Sequence, residues 1–202
     1  YKNTLKKPLI SLNLYKKETK INVIKIAKSI TLSRIIVPNN FNLIILDGAN
    51  LKFDENAYIL INNGALKILG KKNNKVFLSE LNNQWKGIHV ISNNHNSEIN
   101  YANFSNLDYF QNGKFNLTGA INFYNSNVKI NYSKFDVSNS EDSLNFIKSN
   151  FFVNECIFSK SRSDAIDSDY SNGLIQNSKF LDTGGDAIDT SGSIVDIEGV
   201  EI

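Results

Sequence analysis

The chain has 202 residues, of which 41% are hydrophobic, so we expect a folded domain and not a disordered segment. Its single cysteine excludes an internal disulfide framework and a cysteine-based zinc site, and its two histidines argue against a histidine-rich metal site. The net charge is +2, but residues 140–202 carry twelve acids against four Lys and Arg, which argues against a nucleic-acid partner there.

The first 29 residues contain a short alternating stretch, INVIKIA, at residues 21–27. Alternation of this kind predicts strands, which we expect to cap one end of the molecule. Residues 30–202 read as short strands joined by turns rich in Asn, Ser and Gly, without any stretch of helical spacing. We therefore predict a cap over residues 1–29 and a single domain over residues 30–202. Because the sequence stops at an inward position, we expect this domain to continue past Ile202.

Residues 30–88 carry a series of short apolar pieces in a defined order. The pieces are Val37-Pro38, Gly48 to Phe53, Gly64 to Leu66 with Gly70, Val76-Phe77, and Trp85 to Ile88. They resemble the opening coils of the pectin-lyase-like β-helix superfamily, and the resemblance extends over roughly residues 30–202. It implies a right-handed parallel β-helix of the kind found in larger bacterial proteins. Because this fold carries many functions, the resemblance is weak for activity.

The second half of the domain repeats one pattern. Copies begin at Ala120, Ser143, Ala165 and Ala187, which are 22 or 23 residues apart, and an earlier copy spans residues 87–104. Aligning the copies gives three apolar columns: Ile88, Ile121, Leu144, Ile166 and Ile188; Ile99, Ile130, Val153, Ile175 and Ile197; and Phe104, Phe135, Phe158, Phe180 and Ile202. Three columns per repeat predict an all-β, right-handed parallel β-helix with three strands per coil of 22–23 residues.

The repeated phrase Asp-Ala-Ile-Asp, at residues 164–167 and 186–189, places polar residues beside the first apolar column. Since neighbouring residues of a strand point to opposite faces, we expect an outward row and a second row two residues further on. The first row is His89, Asn122, Asn145, Asp167 and Asp189, and the second is Ile91, Tyr124, Ile147, Asp169 and Ser191. We expect the small residues at positions 87, 120, 143, 165 and 187 to lie beside these two rows on the outer surface. The rows and the small residues together would form a shallow ligand groove.

Stacked acids on neighbouring coils would lie about 5 Å apart and repel one another unless something intervenes. Calcium is the candidate ion, because it accepts several oxygen ligands in flexible geometry. The candidate calcium ligands are Asp164, Asp167, Asp169, Asp186 and Asp189. The alternative is that these acids, with Asp142, accept backbone N–H groups at turns.

Three kinds of chemistry are open at these residues. The resemblance implies polysaccharide lyases or uronate epimerases, for which Asp167 and Asp189 would hold calcium and Lys148, Lys160 or Arg162 would serve as the base. The segment GGDAIDTSGS faintly resembles a polygalacturonase-type motif at Asp186 and Asp189, but the second acid pair, the His and the Arg-x-Lys of that family are missing. Esterase chemistry lacks an evident Ser–His partnership.

An insertion at residues 105–118 interrupts the repeat and contains LDYFQNGKF. Tyr109 and Phe110 are candidates for stacking on sugar rings above the groove, and the alternative is that they cover an apolar patch of the wall.

We expect a non-catalytic or accessory module of a secreted or cell-envelope protein. Its partner would be a polysaccharide or another domain of the same polypeptide, with no nucleic acid and no membrane span. The alternatives are a calcium-assisted uronate lyase or epimerase, and a segment of an adhesin or tailspike. The oligomeric state stays open.

Overall fold

The computed structural model describes residues 22–92, 95–112 and 115–202. The strands in chain order are β1 (Asn22–Ile26), β2 (Ile30–Leu32), β3 (Ile35–Val37), β4 (Phe41–Leu46), β5 (Asn50–Phe53), β6 (Ile59–Asn62), β7 (Leu66–Leu69), β8 (Val76–Glu80), β9 (Ile88–Ile91), β10 (Asn96–Asn100), β11 (Ala102–Leu107), β12 (Phe110–Asn112), β13 (Phe115–Leu117), β14 (Gly119–Tyr124), β15 (Asn127–Asn131), β16 (Lys134–Ser138), β17 (Asp142–Ile147), β18 (Asn150–Asn154), β19 (Ile157–Ser161), β20 (Asp164–Asp169), β21 (Asn172–Gln176), β22 (Lys179–Leu181), β23 (Ile188–Ser191) and β24 (Ile194–Glu198).

These strands build three parallel sheets, and each coil contributes one strand to each sheet. Sheet A runs β1-β4-β7-β10-β15-β18-β21-β24, sheet B runs β2-β5-β8-β11-β16-β19-β22, and sheet C runs β3-β6-β9-β14-β17-β20-β23. The chain is therefore an all-β parallel solenoid of about seven coils with three strands each, as the repeat predicted. An antiparallel hairpin, β12–β13, is inserted between β11 and β14.

The three predicted apolar columns form the core as far as the last coil, where Ile188 is only partly buried and Ile197 and Ile202 are exposed. Ile121 pairs with Ile88 on one side and with Leu144 on the other, so the predicted register is confirmed. In sheet B the aromatic column is stacked, with ring centroids 5.0 Å apart for Phe104–Phe135 and 4.6 Å apart for Phe135–Phe158. Stacking at nearly the coil spacing adds aromatic contact energy to the burial of each ring.

The corners explain the abundance of Asn and Ser. The residues with positive φ at turns and corners include Asn40, Asn56, Asn63, Asn106, Asn125 and Asn177. Asn tolerates this left-handed conformation better than most residues. At the corner between sheets C and A, serine hydroxyls accept backbone N–H groups of the preceding coil, as Ser149 does from Ser126 at 3.0 Å and Ser171 does from Ser149 at 3.0 Å.

Two features of the fold bear on the predicted boundaries and groove. Residues 1–21 of the predicted cap lie outside the described residues, whereas β1 pairs in parallel with β4 and so belongs to sheet A. The prediction that the small residues flank the groove on the outside is wrong, because Ala120 and Ala165 belong to the hydrophobic core and the Ser143 hydroxyl bonds to that of Ser161 at 2.8 Å. The chain turns from sheet B into sheet C at this corner. The small residue that precedes the first apolar column on each coil therefore also points into the core.

The described residues contain no helix of the length and apolar character that crossing a membrane requires.

Candidate functional site

The predicted polar row crosses sheet C in the expected register. Asn122 pairs with His89 and Asn145, Asn145 pairs with Asp167, and Asp167 pairs with Asp189. Tyr124, Ile147 and Asp169 form the second row, also as predicted. The strands and the register predicted from the sequence for these side chains are therefore correct.

The row is not the open groove that the sequence predicted. His89, Asn122 and Asn145 are 0%, 2% and 1% exposed. The base of the β12–β13 hairpin lies over the first of them, because the ring of Phe110 is 4.8 Å from that of His89 and 4.8 Å from that of Tyr58. Phe110 is thus buried at 8% exposure and packs on the wall, which is the alternative that the sequence left open.

His89 is neutral and held at both ring nitrogens. Its Nε2 donates to the carbonyl oxygen of Lys86 at 2.7 Å, and its Nδ1 accepts from Asn122 Nδ2 at 3.0 Å. Burial lowers the pKa of His89 to about 4. The ring therefore serves as an acceptor for the amide row and carries no charge at neutral pH.

Asn145 joins two carboxylates beneath the hairpin. Its Nδ2 lies 3.0 Å from Asp142 Oδ2, 3.0 Å from Asp167 Oδ2 and 3.3 Å from Thr118 Oγ1. The Thr118 hydroxyl also hydrogen-bonds Asp142. Asp142 is 3% exposed and Asp167 is half-buried. We name Asp142, Asn145, Asp167 and Thr118 the acid–amide cluster.

Burial and neighbouring charge make these two carboxyl groups weaker acids than an exposed Asp side chain. Burial raises the pKa of Asp142 to about 6; its hydrogen bonds oppose the shift, whereas the charges of Glu141 and Asp164 add to it. Burial also raises the pKa of Asp167 to about 7, with further contributions from the charges of Asp142, Asp169 and Asp189. Both groups thus titrate near neutral pH, where unperturbed carboxyl groups do not.

A cleft of about 540 Å³ opens beside this cluster, between the hairpin and the corner that joins sheets B and C. Its lining residues are Tyr109, Gln111, Asn116, Thr118, Ser140, Glu141, Arg162 and Ser163. We name it the corner cleft. Thr118 belongs to both its wall and the acid–amide cluster, so the cleft reaches the buried carboxyl groups through this one hydroxyl.

Tyr109 stands at the hairpin side of the corner cleft and is 37% exposed. The Lys86 ammonium lies 5.1 Å from the centre of its ring and also pairs with the Asp108 carboxylate. A second, polar cleft of about 450 Å³ lies along the same corner and includes Glu55, Glu80, Lys86 and Asp108 in its wall. The segment at Asp108 and Tyr109 therefore stands between two clefts.

The predicted calcium site finds no support. Within residues 22–92, 95–112 and 115–202, no three His, Cys, Asp or Glu side chains are placed to hold a metal ion together. Protein donors already serve the acids: Asp164 Oδ1 accepts the Asp186 backbone N–H at 2.7 Å, and Asp167 accepts from Asn145. Asp189 is in register with Asp167, but Asp169 pairs with Ser191, and Asp186 precedes β23 at the corner.

Of the three predicted basic residues, only Arg162 lines the corner cleft, where its Nη1 donates to the Asn139 carbonyl at 3.1 Å. Lys148 follows β17 at the opposite edge of sheet C, where its backbone N–H donates to Asp169. Lys160 lies in β19 of sheet B, and its charge acts on Asp136. Lys148 and Lys160 are therefore not placed to act with the acid–amide cluster.

Sequence reasoning missed the wall of the corner cleft. Gln111, Asn116, Thr118 and Glu141 belong to the insertion or to a short corner, where no repeat position marks them. The only available signal was the insertion itself, because an extra segment between two regular coils has to lie outside them and can form one side of a cleft.

Comparisons with models of protein families, with curated proteins and with solved structures each returned no match.

Proposed function

We propose that this β-solenoid binds a saccharide in the corner cleft. The observation that carries the proposal is the wall of that cleft, in which a tyrosine that is 37% exposed stands with amide, hydroxyl and charged groups around about 540 Å³. Ligand pockets for small molecules typically measure about 300–1,000 Å³. A tyrosine offers an apolar ring face for the C–H side of a sugar, and the polar groups suit its hydroxyls.

The polar character of the wall favours a polyhydroxylated ligand over an apolar one. Arg162 can donate several N–H groups in a fixed plane, Glu141 accepts hydroxyl protons, and Gln111 and Asn116 do both. The second cleft on the same corner would give a longer chain further contacts. This proposal retains the predicted secreted or envelope setting, the right-handed coil and the kinship with pectin-lyase-like proteins, in which polysaccharides are common partners.

Saccharide binding is tested by screening neutral, uronate and amino oligosaccharides against the intact chain and measuring the best ligand by calorimetry. Tyr109→Ala should weaken binding about fivefold, because aromatic stacking contributes on the order of 1 kcal/mol. Tyr132→Ala is the matched control, since Tyr132 is 45% exposed but stacks on Tyr101 at another corner. Tyr124→Ala distinguishes the corner cleft from the predicted groove, because Tyr124 is 39% exposed on the outer row.

Arg162→Ala should also weaken binding, whereas Lys160→Ala should leave it unchanged. The proposal fails if no saccharide of the three classes binds, or if Tyr124→Ala weakens binding and Tyr109→Ala does not.

A second candidate function is acid–base chemistry on the bound saccharide. The observation that favours it is that Asp142, whose pKa burial raises to about 6, hydrogen-bonds Thr118 in the cleft wall. Carboxyl groups that titrate near neutral pH are the usual acids and bases of polysaccharide cleavage. Shortening of a bound polymer that is lost in Asp142→Asn would favour turnover, and an unchanged chain length would favour binding alone.

A further inference from the structure

Two buried amide oxygens of the polar row lack a hydrogen-bond donor. They are Asn122 Oδ1 and Asn145 Oδ1, which have no partner among the described residues, and their side chains are 2% and 1% exposed. Native proteins rarely leave a buried acceptor unpaired, because it has lost its water without gaining a protein donor. The two oxygens therefore require an explanation.

The two oxygens belong to residues in register on adjacent coils, because Asn122 pairs with Asn145. The Nδ2 of Asn145 is engaged by Asp142, Asp167 and Thr118, which leaves its Oδ1 without a donor. The Nδ2 of Asn122 is engaged by the Gly119 carbonyl and by His89, which leaves its Oδ1 without a donor as well. Two unpaired acceptors thus belong to neighbouring side chains, between which a donor and an acceptor could bond.

Backbone packing holds the two amides in this small space. A Cβ at Gly119 would lie 2.7 Å from Asn122 Oδ1 and 2.7 Å from the Asn145 Cβ, so only glycine fits there. Gly119 itself pairs in register with Asp142. The unpaired oxygens and the two carboxylates therefore belong to one compact arrangement around the Asn145 amide.

The charges around the Asn145 amide are predominantly negative. Glu141 and Asp164 act on Asp142, while Asp142, Asp169 and Asp189 act on Asp167. On the far side of Asn122, His89 is neutral, and Arg162 in the cleft wall donates to Asn139. Partly buried carboxylates in such surroundings take up protons from solvent more readily than exposed ones.

We propose that protonation of Asp142 and Asp167 turns the Asn145 amide by half a turn about its Cβ–Cγ bond. In the turned state Asn145 Oδ1 accepts the new carboxyl O–H groups, and its Nδ2 donates to Asn122 Oδ1. Both unpaired oxygens then have donors. No covalent bond changes except the two O–H bonds formed with protons from solvent.

The turn also changes the wall of the corner cleft. In the structure Thr118 Oγ1 lies 3.3 Å from Asn145 Nδ2, and this contact is lost when the amide turns. One acceptor position of the Thr118 hydroxyl is then open to the cleft, while its O–H stays with Asp142. The switch goes beyond the proposed function and operates whether or not the cleft is occupied, so its test needs no saccharide.

The transition should fall between about pH 5 and pH 8, because burial raises the pKa of Asp142 to about 6 and that of Asp167 to about 7. Both groups are charged at pH 8 and neutral at pH 5. The pKa of His89, at about 4, keeps the ring neutral over the whole range, so its own protonation does not confuse the result.

The test is nuclear Overhauser spectroscopy on the intact, isotope-labelled chain at pH 8 and pH 5. At pH 8 the Asn145 side-chain amide protons should contact Thr118, and at pH 5 they should contact the Gly119 α-protons and the Asn122 amide. Chemical-shift changes with the Thr118 contact retained at pH 5 would overturn the proposal, because a charge effect without rotation produces that pattern.

A double variant, Asp142→Asn with Asp167→Asn, provides an independent test, because each new amide donates to Asn145 Oδ1 as a protonated carboxyl group does. It should show the pH 5 contacts already at pH 8. Asp196→Asn is the matched control, because Asp196 is an exposed acid on sheet A, and it should keep the wild-type transition. A double variant that retains the Thr118 contact at pH 8 would contradict the proposed rotation, as would a transition abolished by the control.

Discussion

Replacing Asp167 by Asn should stabilise the protein at pH 8 and leave its stability nearly unchanged at about pH 3. Asn has the same shape and can still hydrogen-bond the Asn145 amide, so the substitution removes the charge and little else. The reason is that the charged form of Asp167 is unfavourable in the folded state, where burial and the charges of Asp142, Asp169 and Asp189 oppose it.

The magnitude follows from the pKa of Asp167, which rises from 3.8 to about 7 on folding. One pKa unit corresponds to about 1.4 kcal/mol, so the full shift would amount to about 4 kcal/mol. Asp167 is only half-buried, and solvent screens part of the effect. We therefore expect the free energy of unfolding of Asp167→Asn at pH 8 to exceed that of the wild type by about 2 kcal/mol.

The sign of the pH dependence is fixed by the direction of the shift. A folded-state pKa above the unfolded one means that the folded protein retains a proton which the unfolded chain releases. The stability contributed by Asp167 is thus greatest below about pH 4 and declines as the pH rises to about 7. Asp167→Asn should lack this part of the wild-type decline.

The assay is urea denaturation at about pH 3 and pH 8, followed by circular dichroism, with Asp196→Asn as the control because Asp196 is an exposed acid on sheet A. The reasoning would be refuted if Asp167→Asn destabilised the protein at pH 8, or if its effect were equal at both pH values. An equal gain from Asp196→Asn would attribute the effect to net charge instead of burial.

Two further substitutions test the core and the corners. Phe135→Ala should lower the free energy of unfolding by about 3–5 kcal/mol, because Phe135 stacks between Phe104 and Phe158. Urea denaturation measures this loss, and Phe152→Ala is the control: because Phe152 is half-buried, its loss of stability should be less than about 1 kcal/mol. Val137→Asn should raise the free energy of unfolding by about 0.5–1 kcal/mol, since a β-branched residue at φ 57° is strained where Asn is tolerated. Thermal denaturation should show a smaller gain for Lys160→Asn one coil on, at φ 56°, and a loss of stability in Val137→Asn would show that packing outweighs strain there.

The coil architecture could be predicted because it depends on local alternation repeated at a fixed period. Side chains alternate along every strand, and the 22-residue spacing stacks equivalent positions, so the pairing of Ile121 with Ile88 and Leu144 follows from the sequence. The same argument places Asn145 between Asn122 and Asp167. Register is strongly specified here because a shift of one residue would turn the apolar columns outward.

The environment of those positions could not be predicted from period and alternation. His89 and Asn122 occupy outward positions, yet they are buried beneath the β12–β13 hairpin, whose placement depends on contacts distant in sequence, such as that between Phe110 and Tyr58. Likewise, Ala165 and Ile166 are both buried because the chain turns at the corner between sheets B and C. Alternation fixes directions within a strand but says nothing about a corner or an overlying insertion.

The sequence by itself thus determined the solenoid, its register and the coil on which each polar side chain lies. These features depend on residues close in the chain and on the repeat period. Only the tertiary structure decided which of those side chains meet solvent, and it joined Asp142 to Asp167 through Asn145. The pKa values of these carboxyl groups depend on burial and on charges from three successive coils, and both arise only when the coils and the inserted hairpin pack together.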